Sequence, residues 1–135
     1  MFNISFLLAC NQIKSLPQLD INEHLYENIN LHLSKPDGQR YTMYKEIQDI
    51  ETVQKVMGIL QSISWENVKG LISREPDYKI STFNIDRNIS YEPVTYALWI
   101  PPINNNVELI IEGQSKYGKL SEKESALLLS IFETP

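Results

Sequence analysis

Hydrophobic and polar positions first fall into a readable order at Ile29. Ile29, Leu31 and Leu33 alternate with Asn30, His32 and Ser34, the period of two that marks a half-buried strand. "KPDGQR" follows, in which Pro36 presets its own φ and Gly38 is free to turn left-handed. "RYTMYKEI" then alternates again, so residues 29–46 read as a β-hairpin. Asp49 is placed to cap a helix in which Ile50, Val53, Val56, Met57, Leu60 and Ile63 recur at helical spacing. Glu51 and Lys55 lie off that stripe, and Gly58 weakens the helix by about 1 kcal/mol without ending it.

Trp65 to Val68 is a short apolar stretch able to open a strand. "SREPDY" is broken by Pro76 and reads as a loop leading into the strand "DYKISTFNI". There Tyr78 and Ile80 share one parity and Phe83 and Ile85 the other, which predicts a β-bulge near Ser81–Thr82. "NIDRNISYEP" is a polar connection. "VTYALWI" and "VELIIEG" carry the strongest strand patterns, joined by "PPINNN", and "KYGKL" adds a last short strand. Ser121 and Glu124 then form a capping box, with Leu127, Leu128, Ile131 and Phe132 lining the helix behind it. Two helices with single apolar stripes need one sheet face to cover. The expected fold is therefore α+β, a single antiparallel sheet of about five to six strands with both helices packed on one face.

No comparable period marks residues 1–24. Leu7-Leu8-Ala9-Cys10 has the shape of a bacterial lipobox: a leucine three before the cysteine, a small residue just before it, and a thiol able to accept diacylglycerol. Residues 1–10 then read as a truncated lipoprotein signal, 11–24 as a flexible tether containing Pro17, and 25–135 as one globular domain. No lysine or arginine precedes Cys10, although a secretory signal wants a basic start and a longer apolar run. Either Met1 is internal to a longer chain, or the segment is the mildly apolar end of a cytosolic protein with a free thiol.

The stretch "WENV…SREPDYKI…YALWI…VELIIEG…KYGKLSEKESALLL" resembles the small lipoprotein domain of Bacillus and relatives labelled YhfM-like. The resemblance runs from about Gln39 to Phe132. It rests on the tryptophan after the first helix, the proline-aspartate-tyrosine entering a strand, the "Y-x-L-W" strand and the C-terminal helix. It implies an N-terminal lipobox, and so favours lipidation at Cys10. It brings no catalytic residue and no cofactor.

Composition narrows the partners. With 12 basic against 17 acidic residues the net charge is −5, which argues against nucleic acid and against anionic headgroups as targets of the folded part. No apolar run reaches the length of a membrane span, so membrane attachment is expected only through a lipid on Cys10. One cysteine excludes an internal disulfide and a multi-cysteine metal site. His24 and His32 have no ligand spacing and read as solvated surface residues; no metal or cofactor is expected. There is no nucleophile elbow, P-loop or dinucleotide fingerprint. Glu108 and Glu112 share a strand face about 13 Å apart, too far for an acid–base pair. Asp77 near Arg74 reads as a loop ion pair. A non-enzymatic protein is the expectation.

What remains is surface. Val94, Tyr96, Leu98 and Ile100 can point inward with Val107, Leu109 and Ile111. If Ile100 pairs with Val107, Trp99 lies outward opposite Glu108, and Ala97 opposite Ile110. Trp99, Ile110 and Glu108 then offer a patch for an unknown protein or ligand, unless Trp99 packs on strand neighbours or under a loop. Two function classes follow. One is a lipid-anchored extracytoplasmic domain that binds through its open sheet face. The other is a cytosolic interaction or inhibitor-like domain without an anchor.

Overall fold

The computed structural model describes residues 26–134 apart from 71, 87, 89 and 91. Cys10, His24, the lipobox and the tether lie outside the described residues. Along the chain the elements are β1 (Ile29–Asp37), β2 (Arg40–Ile47), α1 (Ile50–Ser62), β3 (Glu66–Asn67), β4 (Tyr78–Asn84), β5 (Val94–Trp99), β6 (Glu108–Ile111), β7 (Lys116–Lys119) and α2 (Glu122–Glu133). All strands join one sheet of seven in the order β2-β1-β4-β5-β6-β7-β3. Every neighbouring pair is antiparallel. The count exceeds the expected five to six because the two-residue β3 and the short β7 both pair.

The class follows from the sheet's inner row. Leu31, Leu33, Ile80, Leu98 and Leu109 are fully buried and form one cluster with Val53, Val56 and Leu60 of α1 and Leu128 and Phe132 of α2. One cluster requires both helices on the same face, as the two apolar stripes predict. Their ends meet where Ser62 Oγ bonds Glu124 Oε2 at 3.1 Å. Asp49 caps α1, and Ser121 with Glu124 closes the expected capping box on α2. Ile50 and Leu127 belong to the predicted stripes by spacing, yet both are exposed, since each sits at the margin of its helix's buried face.

The far end of α2 has no basic residue in its last turn. The sheet supplies the missing donors: Lys45 Nζ bonds the carbonyls of Ile131 and Thr134 at 2.9 and 3.0 Å, and Tyr44 Oη donates to Phe132 O at 2.8 Å. These satisfy terminal carbonyls and place a cation at the negative end of the helix. Burial first, with Tyr78 and Glu133 adding, pushes the Tyr44 hydroxyl up to about 12.

The predicted bulge in β4 is absent. β4 pairs without a break to β1 and β5, and the inner row continues from Ile80 through Thr82, which is fully buried. Thr82 accepts Val94 N through its hydroxyl at 3.3 Å, so a polar residue occupies a core position at little cost. Phe83 instead stacks on His32 across the outer face, ring centres 4.4 Å apart, and Ile85 is 59% exposed. The sheet's register shift lies in the β1–β2 pair, between Leu33 and Ser34.

One close approach lets the chain pass from α1 to the opposite edge. After α1, Ile63 and Trp65 lie flat against β7 at Gly118. A Cβ there would overlap Ile63 Cγ2 and stand 3.0 Å from Trp65 Cε3. Gly118→Ala is expected to destabilise by about 1–3 kcal/mol through overpacking. Combined with Ile63→Ala, which removes the clashing methyl, its cost should fall short of the additive value by at least about 0.5 kcal/mol. Urea denaturation of the two single variants and the double variant measures that coupling.

Candidate functional site

Parity across β5 and β6 is as the sequence predicts: Trp99 pairs with Glu108, Ala97 with Ile110 and Leu98 with Leu109. Tyr117 lies beyond Ile110 on β7, and Glu66 beyond Tyr117 on β3. Ala97, Ile110, Tyr117 and Glu66 form one row on the face away from the helices, with Trp99 and Glu108 beside it. Exposure does not follow from that parity. Trp99 is only 7% exposed and Ala97 2%.

Topology explains the burial. β3 ends at the sheet's edge while β4 starts near its middle, so the chain between them crosses the outer face. It leaves the edge where Val68 N bonds Ser115 O at 2.9 Å. It is pinned at the other end, where Trp99 Nε1 donates to Arg74 O at 2.8 Å. Arg74 reaches both Asp77 oxygens and Ile100 O, and Asp77 Oδ2 accepts Ile100 N at 2.7 Å. Tyr41 Oη adds a bond to Pro76 O. Trp99 is therefore no exposed anchor. It is a buried residue under a loop, with its ring polarity satisfied. The Arg74–Asp77 ion pair holds that loop, as read from the sequence.

Between this crossing segment and the sheet lie two clefts. One, of 320 Å³, is lined by Val68, Ile72, Ile110 and the Tyr117 ring, with Glu66 and Lys69 at its rim. The other, of 280 Å³, shares Val68, Gly70, Ile72 and Ile110 and extends to Trp99 and Glu112. Ile110 thus sits in the floor of both. Of the expected patch, Ile110 and Glu108 remain partly accessible and Trp99 does not. Sequence reasoning missed Val68, Ile72 and Tyr117. Two apolar residues in a segment without strand alternation were the available signal.

Two carboxylates of the outer face, Glu108 and Glu112, are engaged. Glu108 Oε2 accepts Tyr117 Oη at 2.7 Å, and Glu112 pairs with Lys79 at 2.7 Å, whose ammonium also stands 4.4 Å over the Tyr41 ring. Burial first, then the bond to Glu108, pushes the Tyr117 hydroxyl up to about 12. His32 bonds Glu46 at 3.0 Å on the half of the sheet away from the clefts, and this bond first of all holds Glu46 below the usual carboxylate range. Among the described residues, no group of three or more His, Cys, Asp or Glu is placed to hold a metal ion, and no helix is long and apolar enough to cross a membrane. A further cleft of 360 Å³ lies at the end of α2, between Lys35, Tyr44, Lys45 and Phe132. The Tyr44 hydroxyl and the Lys45 ammonium there are spent on the helix carbonyls, so it belongs to the cap.

A family model described as YhfM protein matches residues 22–135. That match extends past both ends of the stretch on which the sequence resemblance rests. No curated protein and no solved structure matches the chain.

Two measurements test this geometry. Trp99→Ala is expected to cost about 3–5 kcal/mol, in the same range as Leu98→Ala. Trp99→Phe, which keeps a ring and loses the bond to Arg74 O, should cost about 1 kcal/mol. Urea titration followed through Trp65 separates them. The second concerns Tyr117. Its raised value means that the folded state holds the phenolic proton more tightly than the unfolded chain, whose ordinary value is 10.0. The stabilisation is complete below pH 10 and is lost as pH rises through the folded value near 12. Glu108→Gln should lower the Tyr117 ionisation while leaving it above the ordinary value, because burial is the larger cause. Phenolate absorbance, with Tyr117→Phe as the reference, follows the change.

Proposed function

From the premise that the chain belongs to the YhfM family, we propose that it is a lipid-anchored, non-enzymatic binding domain. It sits on the outer side of the cell membrane and binds a protein or ligand through the outer sheet face. The observation that carries the binding reading is the pair of clefts floored by Ile110, where half-buried Val68, Ile72 and Tyr117 leave apolar surface beside a polar rim. Concave apolar surface with few polar groups is the usual form of a binding site. Glu108 and Glu112 hold Tyr117 and Lys79, structural roles that fit a binding face.

The anchor rests on Leu7-Leu8-Ala9-Cys10 and on the lipobox that the family resemblance implies. Protein expressed with its native leader is expected to incorporate a labelled fatty acid and partition with membranes. Cys10→Ala should abolish both. A label that survives Cys10→Ala, or full partition into the cytosol, favours the unanchored interaction domain instead.

For the site, anilinonaphthalene sulfonate serves as a general apolar probe. It should bind the full chain with an increase in emission, and Ile110→Asp should weaken that binding by about tenfold or more. Ile110 is only half-buried, so the variant is expected to keep a cooperative unfolding transition. Undiminished dye binding by folded Ile110→Asp overturns the site.

A further inference from the structure

We infer that this groove takes a single unbranched hydrocarbon chain with an anionic head, the head held at Lys69. The inference rests on the cleft reading above and adds the ligand class. Its first support is shape. The two clefts share Val68, Gly70, Ile72 and Ile110, so the two openings adjoin along the crossing segment. An elongated ligand uses both openings, whereas a compact one fills a single side.

Its second support is the chemistry of the floor. Ile110, Ile72 and Val68 offer no polar atom. The Tyr117 hydroxyl proton is given to Glu108, and the Trp99 ring N–H to Arg74 O. No side-chain donor on the floor is left for a ligand, and no buried side-chain nitrogen or oxygen among the described residues lacks a partner. A peptide laid on this floor would find no side-chain donor for its carbonyls, whereas a hydrocarbon chain needs none.

Its third support is charge. Lys69 is the one cation among the described residues lining either opening, and it is exposed with no ion pair or hydrogen bond. Lys116 nearby is held by Asn67 at 2.8 Å. Glu66 shares the rim with Lys69, so an anionic head is directed to the Lys69 side of the mouth. A carboxylate of a free fatty acid and a phosphate of a monoacyl lipid share the chemistry this mouth selects.

Calorimetric titration of the full chain with octanoate, decanoate and dodecanoate, each below its micelle concentration, tests the chain. Affinity is expected to rise about fourfold per added methylene while the groove fills. Dodecanol should bind about two- to fivefold more weakly than dodecanoate, and Lys69→Gln should remove that difference. Dodecyl phosphate against dodecanoate tells the two sources of head apart, and preference for either supports the inference. Ile110→Asp should weaken dodecanoate by about tenfold or more. Ile110→Trp, which fills the groove without adding charge, should do the same and guards against a folding defect. Affinity independent of chain length overturns the inference, as does dodecanol binding as tightly as dodecanoate. If the dye still reports an Ile110-dependent site in that case, the ligand class fails and the cleft reading stands.

Discussion

A glycine with no side chain to spare decides how this chain reaches its outer face. α1 lies in the layer beneath the sheet, and the chain must leave that layer past the β7 edge. Ile63 and Trp65 do so by resting directly on Gly118. A Cβ at that position would press on Ile63 and Trp65, just before the two-residue β3 pairs with Tyr117 and Lys116. Everything on the outer face follows from that pairing. β3 delivers the chain to the edge, and the link back to the central β4 has no route except across β7, β6 and β5. The burial of Trp99 and the groove over Ile110 are consequences of a packing contact on the opposite side of the sheet.

The outer face is consequently divided. Over β1 and β2 it carries His32 paired with Glu46, and Lys79 of β4 reaches across to Glu112 at the second cleft. Over β5, β6 and β7 it is covered in part by a segment tied down at its ends. Clasps at Val68 and at Arg74–Asp77 hold the segment, and its middle lies over apolar side chains. Apolar surface that a sheet would otherwise show to water is thereby reduced to a narrow groove. A broad exposed patch would favour association of unrelated chains, and a groove restricts access to ligands of matching width.

Much of this architecture was legible in the chain. Alternation marked β1, β2, β5 and β6, helical spacing marked α1 and α2, and Asp49, Ser121 and Glu124 fixed where the helices begin. The pairing of Trp99 with Glu108 and Ala97 with Ile110 followed from parity alone. The bulge failed, and of the two readings open for Trp99 the one under a loop holds, for a common reason. Thr82 is polar but takes a core position, so the hydrophobic period broke where the strand did not. Trp99 points outward but is buried, because side-chain direction is local while cover is set by the order of strands. Periodicity reports which way a residue faces. It carries no information on what the chain later lays over that face.

The same distinction explains why the site was only half visible. Ile110 and Glu108 stood out because they sit outward on a strand with clear parity; Ile110 lines the groove, and Glu108 accepts the hydrogen bond of the Tyr117 hydroxyl beside it. Val68 and Ile72 come from a segment whose apolar residues have no regular spacing, and their role depends on the strand order that brings them above Ile110. The polar atoms complete the account. Tyr117 and Trp99 are the two aromatic residues of the groove with donors, and each turns its donor away from the floor, one to Glu108 and the other to Arg74 O. Structural hydrogen bonds that hold the segment in place are thus what makes the floor apolar. A groove formed in this way discriminates by shape and by an apolar floor, with Lys69 at the mouth as the one cation among its described lining residues.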